Sequence, residues 1–202
     1  LVDKRGDGRF EFATDLLGAA RAVCGKNPGI AAILGTGSNS CLFDGERIVR
    51  SVRPGGFILG DEGGTGCLGK LFVADFIKGL VPADVSEQFS ADFQADYATL
   101  VNRIYRQEAP SAYLGSFAPW ILERYNSSEY VRNLVDNNFR AFFERSLSQY
   151  DLKSHPVGVV GGFACACSDI LRRIASEYGV VISGIIRQPM DGLIRYHKEN
   201  CQ

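Results

Sequence analysis

Gly29-Ile30-Ala31-Ala32-Ile33-Leu34-Gly35-Thr36-Gly37-Ser38-Asn39-Ser40 runs from an unbroken apolar segment straight into a glycine-threonine-glycine turn. An apolar run without polar alternation is the pattern of a strand buried on both faces. A turn of this composition exposes backbone N–H groups and a hydroxyl at one point, a geometry suited to phosphate or to a sugar hydroxyl. Downstream, Ser40-Cys41-Leu42-Phe43 leads into the tight-turn dipeptide Asp44-Gly45, and Arg47-Ile48-Val49-Arg50-Ser51-Val52 reads as the returning strand. Residues 29–53 therefore predict an antiparallel meander. Upstream, residues 15–25 read as a short helix, with Asp15 as N-cap or first-turn acid and Gly25 as its stop. Pro28 prevents continuation. Arg9-Phe10-Glu11-Phe12-Ala13-Thr14 alternates like a strand that expects neighbours, and with Leu1 in first place the chain reads as cut from something longer.

Further outward, Gly60-Asp61-Glu62-Gly63-Gly64 precedes an amphipathic helix expected over residues 63–80, which Val81-Pro82 ends. Residues 84–150 carry helical apolar spacing nearly throughout, with breaks at Pro110, Pro119 and Asn126-Ser127-Ser128. Val157-Gly158-Val159-Val160 predicts a short buried strand ending in Gly161-Gly162. A helix over 164–178, a strand over 179–183 and a helix over 189–199 complete an α/β tail.

With 202 residues, 46% of them hydrophobic, the chain can bury a substantial core, which excludes a disordered segment. Its 22 basic and 23 acidic residues are interspersed for a net charge of −1, so neither nucleic acid nor an anionic membrane is an expected partner. A small molecule is. The six cysteines are mostly isolated in apolar surroundings, the pattern of reduced thiols in a cytoplasmic protein. No apolar run approaches the ~20 residues that cross a bilayer, and no signal peptide opens the chain.

Each candidate site has a plainer alternative. Gly35-Thr36-Gly37 matches neither the P-loop nor the dinucleotide fingerprint, and a glycine turn can be only a turn. Asp61 either caps the helix that follows or offers its carboxylate to a ligand, and Asp15 carries the same ambiguity. Gly161-Gly162 either lets a ligand approach the backbone or lets a helix pack on a strand. Cys165-Ala166-Cys167 lacks a second cysteine pair or a histidine at ligand spacing, so no metal ligands are assigned. Trp120, Phe139, Phe142 and Phe143 have the spacing of core residues.

Taken in order, Ile33-Leu34-Gly35-Thr36-Gly37-Ser38-Asn39-Ser40, Gly60-Asp61-Glu62-Gly63, Val160-Gly161-Gly162 and Gln188-Pro189-Met190-Asp191-Gly192-Leu193-Ile194 resemble the N-acetylglucosamine kinase group of the BadF/BadG/BcrA/BcrD ATPase family. The resemblance covers nearly the whole chain. It implies an α/β fold, a ribonuclease-H-like actin-type ATPase domain with a mixed sheet flanked by helices and a large helical insertion at about 84–150. By it, residues 1–25 are a remnant of the N-terminal ATPase domain, 26–188 the C-terminal domain and 189–202 a C-terminal helix. It implies ATP and Mg²⁺ as cofactors and an amino sugar as substrate. Thr36 and Gly37 then resemble residues at the ATP phosphates, and Gly161 and Gly162 the adenosine-side glycines. Ser38, Asn39, Gly56 and Asp61 resemble the sugar-holding residues, and Asp15 the base toward the sugar hydroxyl. Phosphoryl transfer asks for little else, since positioning and charge neutralisation supply most of the catalysis.

Two departures qualify the match. The family's glycine-rich phosphate hairpin, Asp-x-Gly-x-x-x-Thr, has no counterpart in this sequence, as expected of a fragment. Gly55-Gly56-Phe57 stands where the family often has Gly-Trp-Gly, which leaves the identity of the sugar open. The same family contains ATPases that activate a partner enzyme through an iron–sulfur cluster, but these use paired cysteines at a dimer interface, unlike the scattered ones here. A non-catalytic sugar- or nucleotide-binding remnant is the alternative from a different class. The resemblance leaves a homodimer open.

Overall fold

The computed structural model describes residues 13–200. Its sheet contains β1 (Gly29–Leu34), β2 (Ser38–Phe43), β3 (Ile48–Val52), β4 (Val157–Val160) and β5 (Ile182–Ile186), in the spatial order β3-β2-β1-β4-β5. β1, β2 and β3 form the antiparallel meander expected over 29–53, while β4 runs parallel to β1 and β5 parallel to β4. The sheet is thus mixed, and the carboxyl ends of β1, β4 and β5 share one edge. That edge is where ligand crevices form in open α/β sheets.

Alternation along β1 divides the core in two. Ala31 faces a small cluster with Leu16, Ala20, Cys41 and Phe43. Ile30, Ala32 and Leu34 face the larger cluster, which includes Leu68, Phe72 and Phe139. The small cluster is covered by α1 (Asp15–Cys24), which also packs against α11 (Met190–Asn200). Thr14 rather than Asp15 caps α1: its Oγ1 accepts from Leu17 N at 3.2 Å, and Asp15 takes the first-turn place that the helix dipole favours for an acid. The strand expected over 9–14 lies for the most part outside the described residues.

Between β3 and β4 come α2 (Gly56–Leu59), α3 (Thr65–Ile77), α4 (Ala83–Phe93), α5 (Tyr97–Tyr105), α6 (Pro110–Gly115), α7 (Ala118–Glu123) and α8 (Glu129–Arg145). The breaks fall as expected: Pro110 opens α6, Pro119 lies in the first turn of α7, and Ser128 Oγ caps α8 by accepting from Val131 N. Trp120, Phe139, Phe142 and Phe143 are buried in the larger cluster.

Three expected boundaries are corrected. The helix expected over 63–80 spans Thr65–Ile77, because Gly79 turns left-handed at φ +69° and Leu80 N closes back on Asp75 O at 2.9 Å. The single helix expected over 164–178 is two, α9 (Gly162–Ala166) and α10 (Ser168–Glu177), broken at Cys167 where ψ is 24°. The strand expected over 179–183 is β5 at Ile182–Ile186. Gly179 and Val180 belong instead to the end of α10, with Val180 N donating to Ala175 O at 2.9 Å. Among the described residues, no helix is long and apolar enough to cross a membrane.

Candidate functional site

The two glycine phrases interlock. Gly35 N donates to Gly37 O across the β1–β2 turn at 3.0 Å, while the outward carbonyls of Gly35 and Thr36 accept from Thr65 N and Gly66 N, both at 2.9 Å. Those donors belong to the first turn of α3, whose N–H groups have no partner inside the helix. Gly64 must be glycine for the approach, since a Cβ there would lie 2.6 Å from Thr36 O. With its carbonyls so engaged, the turn keeps the amides of Thr36 and Gly37 without a partner among the described residues.

Asp61 is held in the left-handed region at φ +60°, with its N–H donating to Pro54 O at 3.1 Å. A non-glycine residue there signals a constraint that the surroundings enforce. Its side chain does not cap α3, whose N-cap is Gly64 with no side-chain bond. Oδ1 instead lies 3.4 Å from Ser38 N, and a Cβ at Gly37 would fall 2.8 Å from Oδ2. The carboxylate is thus pressed against the β1–β2 turn, and the helix-cap alternative for Asp61 is set aside.

The insertion fastens this loop from behind. Asn138, fully buried on α8, accepts from Gly63 N at 3.1 Å through Oδ1 and donates to Gly64 O at 3.3 Å through Nδ2. Arg145, also on α8, pairs with Glu62 at 2.6 Å. Neither residue was singled out from sequence, yet Asn138 had a signal. It lies on the face of α8 that carries the buried Val131, Val135 and Phe142, where an unpartnered amide would be costly.

A hollow of 360 Å³ opens at the carboxyl ends of β1 and β4, lined by Gly35, Thr36, Thr65, Gly162, Phe163 and neighbours from α6 and α7. Thr36 is exposed to it, and nothing lies within 4 Å of where a Gly162 Cβ would be. Gly161 behaves differently: at φ +145°, a Cβ there would sit 2.0 Å from Leu34 O, so its glycine is required by strand packing. Gly161 is thus a packing glycine between the ends of β4 and β1, while Gly162 leaves open space beside it.

Ser38 is buried in β2, and Asn39 Oδ1 accepts from Ser40 N at 2.9 Å. Gly56 opens α2 at φ +71°, exposed, and its carbonyl accepts from Gly60 N at 2.8 Å, one residue before Asp61. Asp15 is exposed, with Oδ1 accepting from Leu16 N at 2.8 Å. It lines a separate hollow of 710 Å³, on the α1 side of the sheet, together with Ile33 and Val160 from the ends of β1 and β4. Gly37, Ser38 and Asp61 are therefore in direct contact, Thr36 and Gly162 share the first hollow, and Asp15 stands at the same edge on the other face. Cys165 and Cys167 gather no metal set: among the described residues no three His, Cys, Asp or Glu side chains converge. Burial pushes the Cys167 thiol up to about 12.

A mixed five-stranded sheet in this order, flanked by helices and carrying its glycine turns at one edge, is the α/β fold of actin-like sugar kinases. The chain is similar to a candidate N-acetylglucosamine kinase from Porphyromonas gingivalis, with 39% identity and a TM-score of 0.89 over 93% of this chain and 66% of that one. It also resembles a candidate N-acetylglucosamine kinase from Chromobacterium violaceum, with 18% identity and a TM-score of 0.71 over 89% of this chain and 62% of that one, a likeness of fold alone. The chain spans less than two thirds of the length of either. No family model matches it, and no curated protein does.

Proposed function

We propose that the chain belongs to an ATP-dependent kinase that transfers the γ-phosphoryl group to a hydroxyl of N-acetylglucosamine or a related amino sugar. The observation that carries the reading is the interlocked turn, from which Thr36 faces one hollow while Asp61 is fixed against Ser38 and Gly37 beside it. One rigid loop pair thereby offers donors to a phosphate and a carboxylate to a hydroxyl.

In this reading the unpartnered amides of Thr36 and Gly37, with the Thr36 hydroxyl, take a phosphate oxygen of ATP, and Gly161-Gly162 border its adenosine. Ser38, Asn39, Gly56 and Asp61 hold the sugar, and Asp15 accepts the proton of the attacking hydroxyl. The residues fit a nucleotide: the hollow is open at Gly162 and no carboxylate lines it to repel phosphate. Mg²⁺ bound with the phosphates would supply charge neutralisation, and no residue of this chain is assigned as its ligand. In the same reading residues 1–25 are a remnant of the N-terminal ATPase domain, 26–188 the C-terminal ATPase domain and 189–202 a C-terminal helix. We assign the protein to the cytoplasm on its composition.

Calorimetry with N-acetylglucosamine and with ATP, followed by a coupled assay of ADP release, tests the reading in the full-length protein. Asp15→Asn is expected to lower turnover by about a thousandfold or more while sugar binding persists. Wild-type turnover in that variant would refute the base assignment, and ligand binding without ADP release from the unmodified protein would refute the kinase.

A further inference from the structure

Between α2, α3 and α5 lies a cavity of 340 Å³ that shares no lining residue with the first hollow. Phe57 and Ile58 form its roof, Ile77, Ile104 and Tyr105 are among its apolar walls, and Lys70 is its sole charged lining residue. Lys70 Nζ donates to Phe57 O at 2.7 Å and lies 3.5 Å from Ile58 O, carbonyls at the end of α2 that no intrahelical donor reaches. An ammonium has three donors, so one remains. Among the described residues Lys70 forms no ion pair. A half-buried cation without a carboxylate, set in an otherwise apolar wall, is a charge awaiting a counter-ion.

The rim supplies the second half of the argument. Ile58 is 71% and Tyr105 80% exposed, so large apolar side chains stand open beside the cavity mouth. A dry cavity of about 150 Å³ accommodates benzene, and ligand pockets begin at about 300 Å³, so this volume suits a single substituted ring. We propose that the cavity is a second ligand site, separate from the two hollows at the sheet edge, for a small apolar monoanion: one ring, or a branched chain of similar bulk, bearing one carboxylate. The apolar body packs against Phe57, Ile104 and Tyr105, and the carboxylate accepts the remaining Lys70 N–H. Since α2 leads directly into Gly60-Asp61, the occupant braces the loop that carries Asp61. The proposal does not depend on the kinase reading.

Benzoate is the probe, followed by saturation-transfer NMR, with benzyl alcohol as its neutral counterpart. Benzoate is expected to bind saturably, benzyl alcohol about tenfold more weakly, and Lys70→Met to weaken benzoate by about tenfold while Lys70→Arg retains it. Ala74, exposed at the cavity wall, can be enlarged without entering the core, so Ala74→Phe is expected to abolish binding with an unchanged thermal melt. Saturating benzoate is expected to slow hydrogen exchange at the Gly60 and Asp61 amides. Absence of saturable binding, or equal affinity for benzoate and benzyl alcohol in the wild-type protein, would overturn the site. Unchanged exchange at Gly60 and Asp61 would overturn its link to the loop.

Discussion

Around the β1–β2 turn, backbone touches backbone, whereas in the insertion aromatic ring touches aromatic ring. At the sheet edge, Leu34 O, Gly35 O and Thr36 O all face main-chain atoms of neighbouring segments, and side chains are excluded from the contacts. In the insertion, Phe89 meets Phe72 at 4.8 Å, Phe76 and Phe93 at 5.0 Å, Phe117 at 5.1 Å and Trp120 at 5.3 Å between ring centroids. The first kind of contact fixes where polar groups point. The second supplies burial and tolerates any arrangement that fills the volume. Position is therefore set at the edge and stability in the insertion, with Asn138 the point at which one is fastened to the other.

Separate substitutions can break that division. Phe89→Ala, which removes a fully buried ring, is expected to cost about 4 kcal/mol in urea unfolding while leaving ATP affinity unchanged in the folded fraction. A large loss of ATP affinity in that variant would show that the insertion also sets position. Gly161→Ala is expected to cost about 3 kcal/mol, because its Cβ must push β4 away from Leu34 O, and here ATP affinity should fall with stability. Stability lost with nucleotide binding intact would detach Gly161 from the site.

The smallest effect concerns pH and draws on buried thiols outside the insertion. Burial raises Cys24 from about 9 to about 11 and Cys41 and Cys167 to about 12, so each thiol is protonated in the fold at pH values where the unfolded chain ionises it. Their contribution is fully present below about pH 9 and is lost as pH rises toward 11 to 12. Melting temperature measured from pH 7 to pH 11 should be flat to about 9 and then fall. Cys24→Ala with Cys41→Ala would flatten the fall, and an unchanged slope in that pair would assign it to other groups such as Tyr150, which burial raises against the lowering effect of its hydrogen bonds with Ser40 and Val52.

Much of this was legible in the residues. The apolar run at 29–34 and the Asp44-Gly45 turn fixed the meander, since period and turn chemistry agree there. The prolines marked the start of α6 and the first turn of α7, because a missing N–H is tolerated there. Two of the three errors, at Gly79 and at Gly179, share one cause. Val180-Val181 has strand composition, but the Gly179 turn draws Val180 back to close α10, and the apolar residue after a left-handed glycine is part of the helix stop. Pairing of β5 with β4 then starts late. At the site, Thr36 and Asp61 were visible as residue types at turns, whereas the contact of Asp61 with Ser38 and Gly37 was not, because it forms through space across residues far apart in the chain. Asn138 escaped for the opposite reason: its neighbours on α8 were read for apolar spacing, and a polar residue on that face was passed over.

The crossover from β3 to β4 has a consequence for the order of assembly. β1 pairs with β4 only through contacts such as Ile30 with Val157, with all of α2 to α8 between them in the chain. Contacts that close long loops form slowly, so the meander can fold from local contacts well before β4 exists to cover it. During synthesis β1 is then an unpaired, wholly apolar strand edge, the kind that attracts other chains. Slowing translation after β3 should aggravate aggregation, and chaperone demand should fall once Val157-Gly158-Val159-Val160 has left the ribosome.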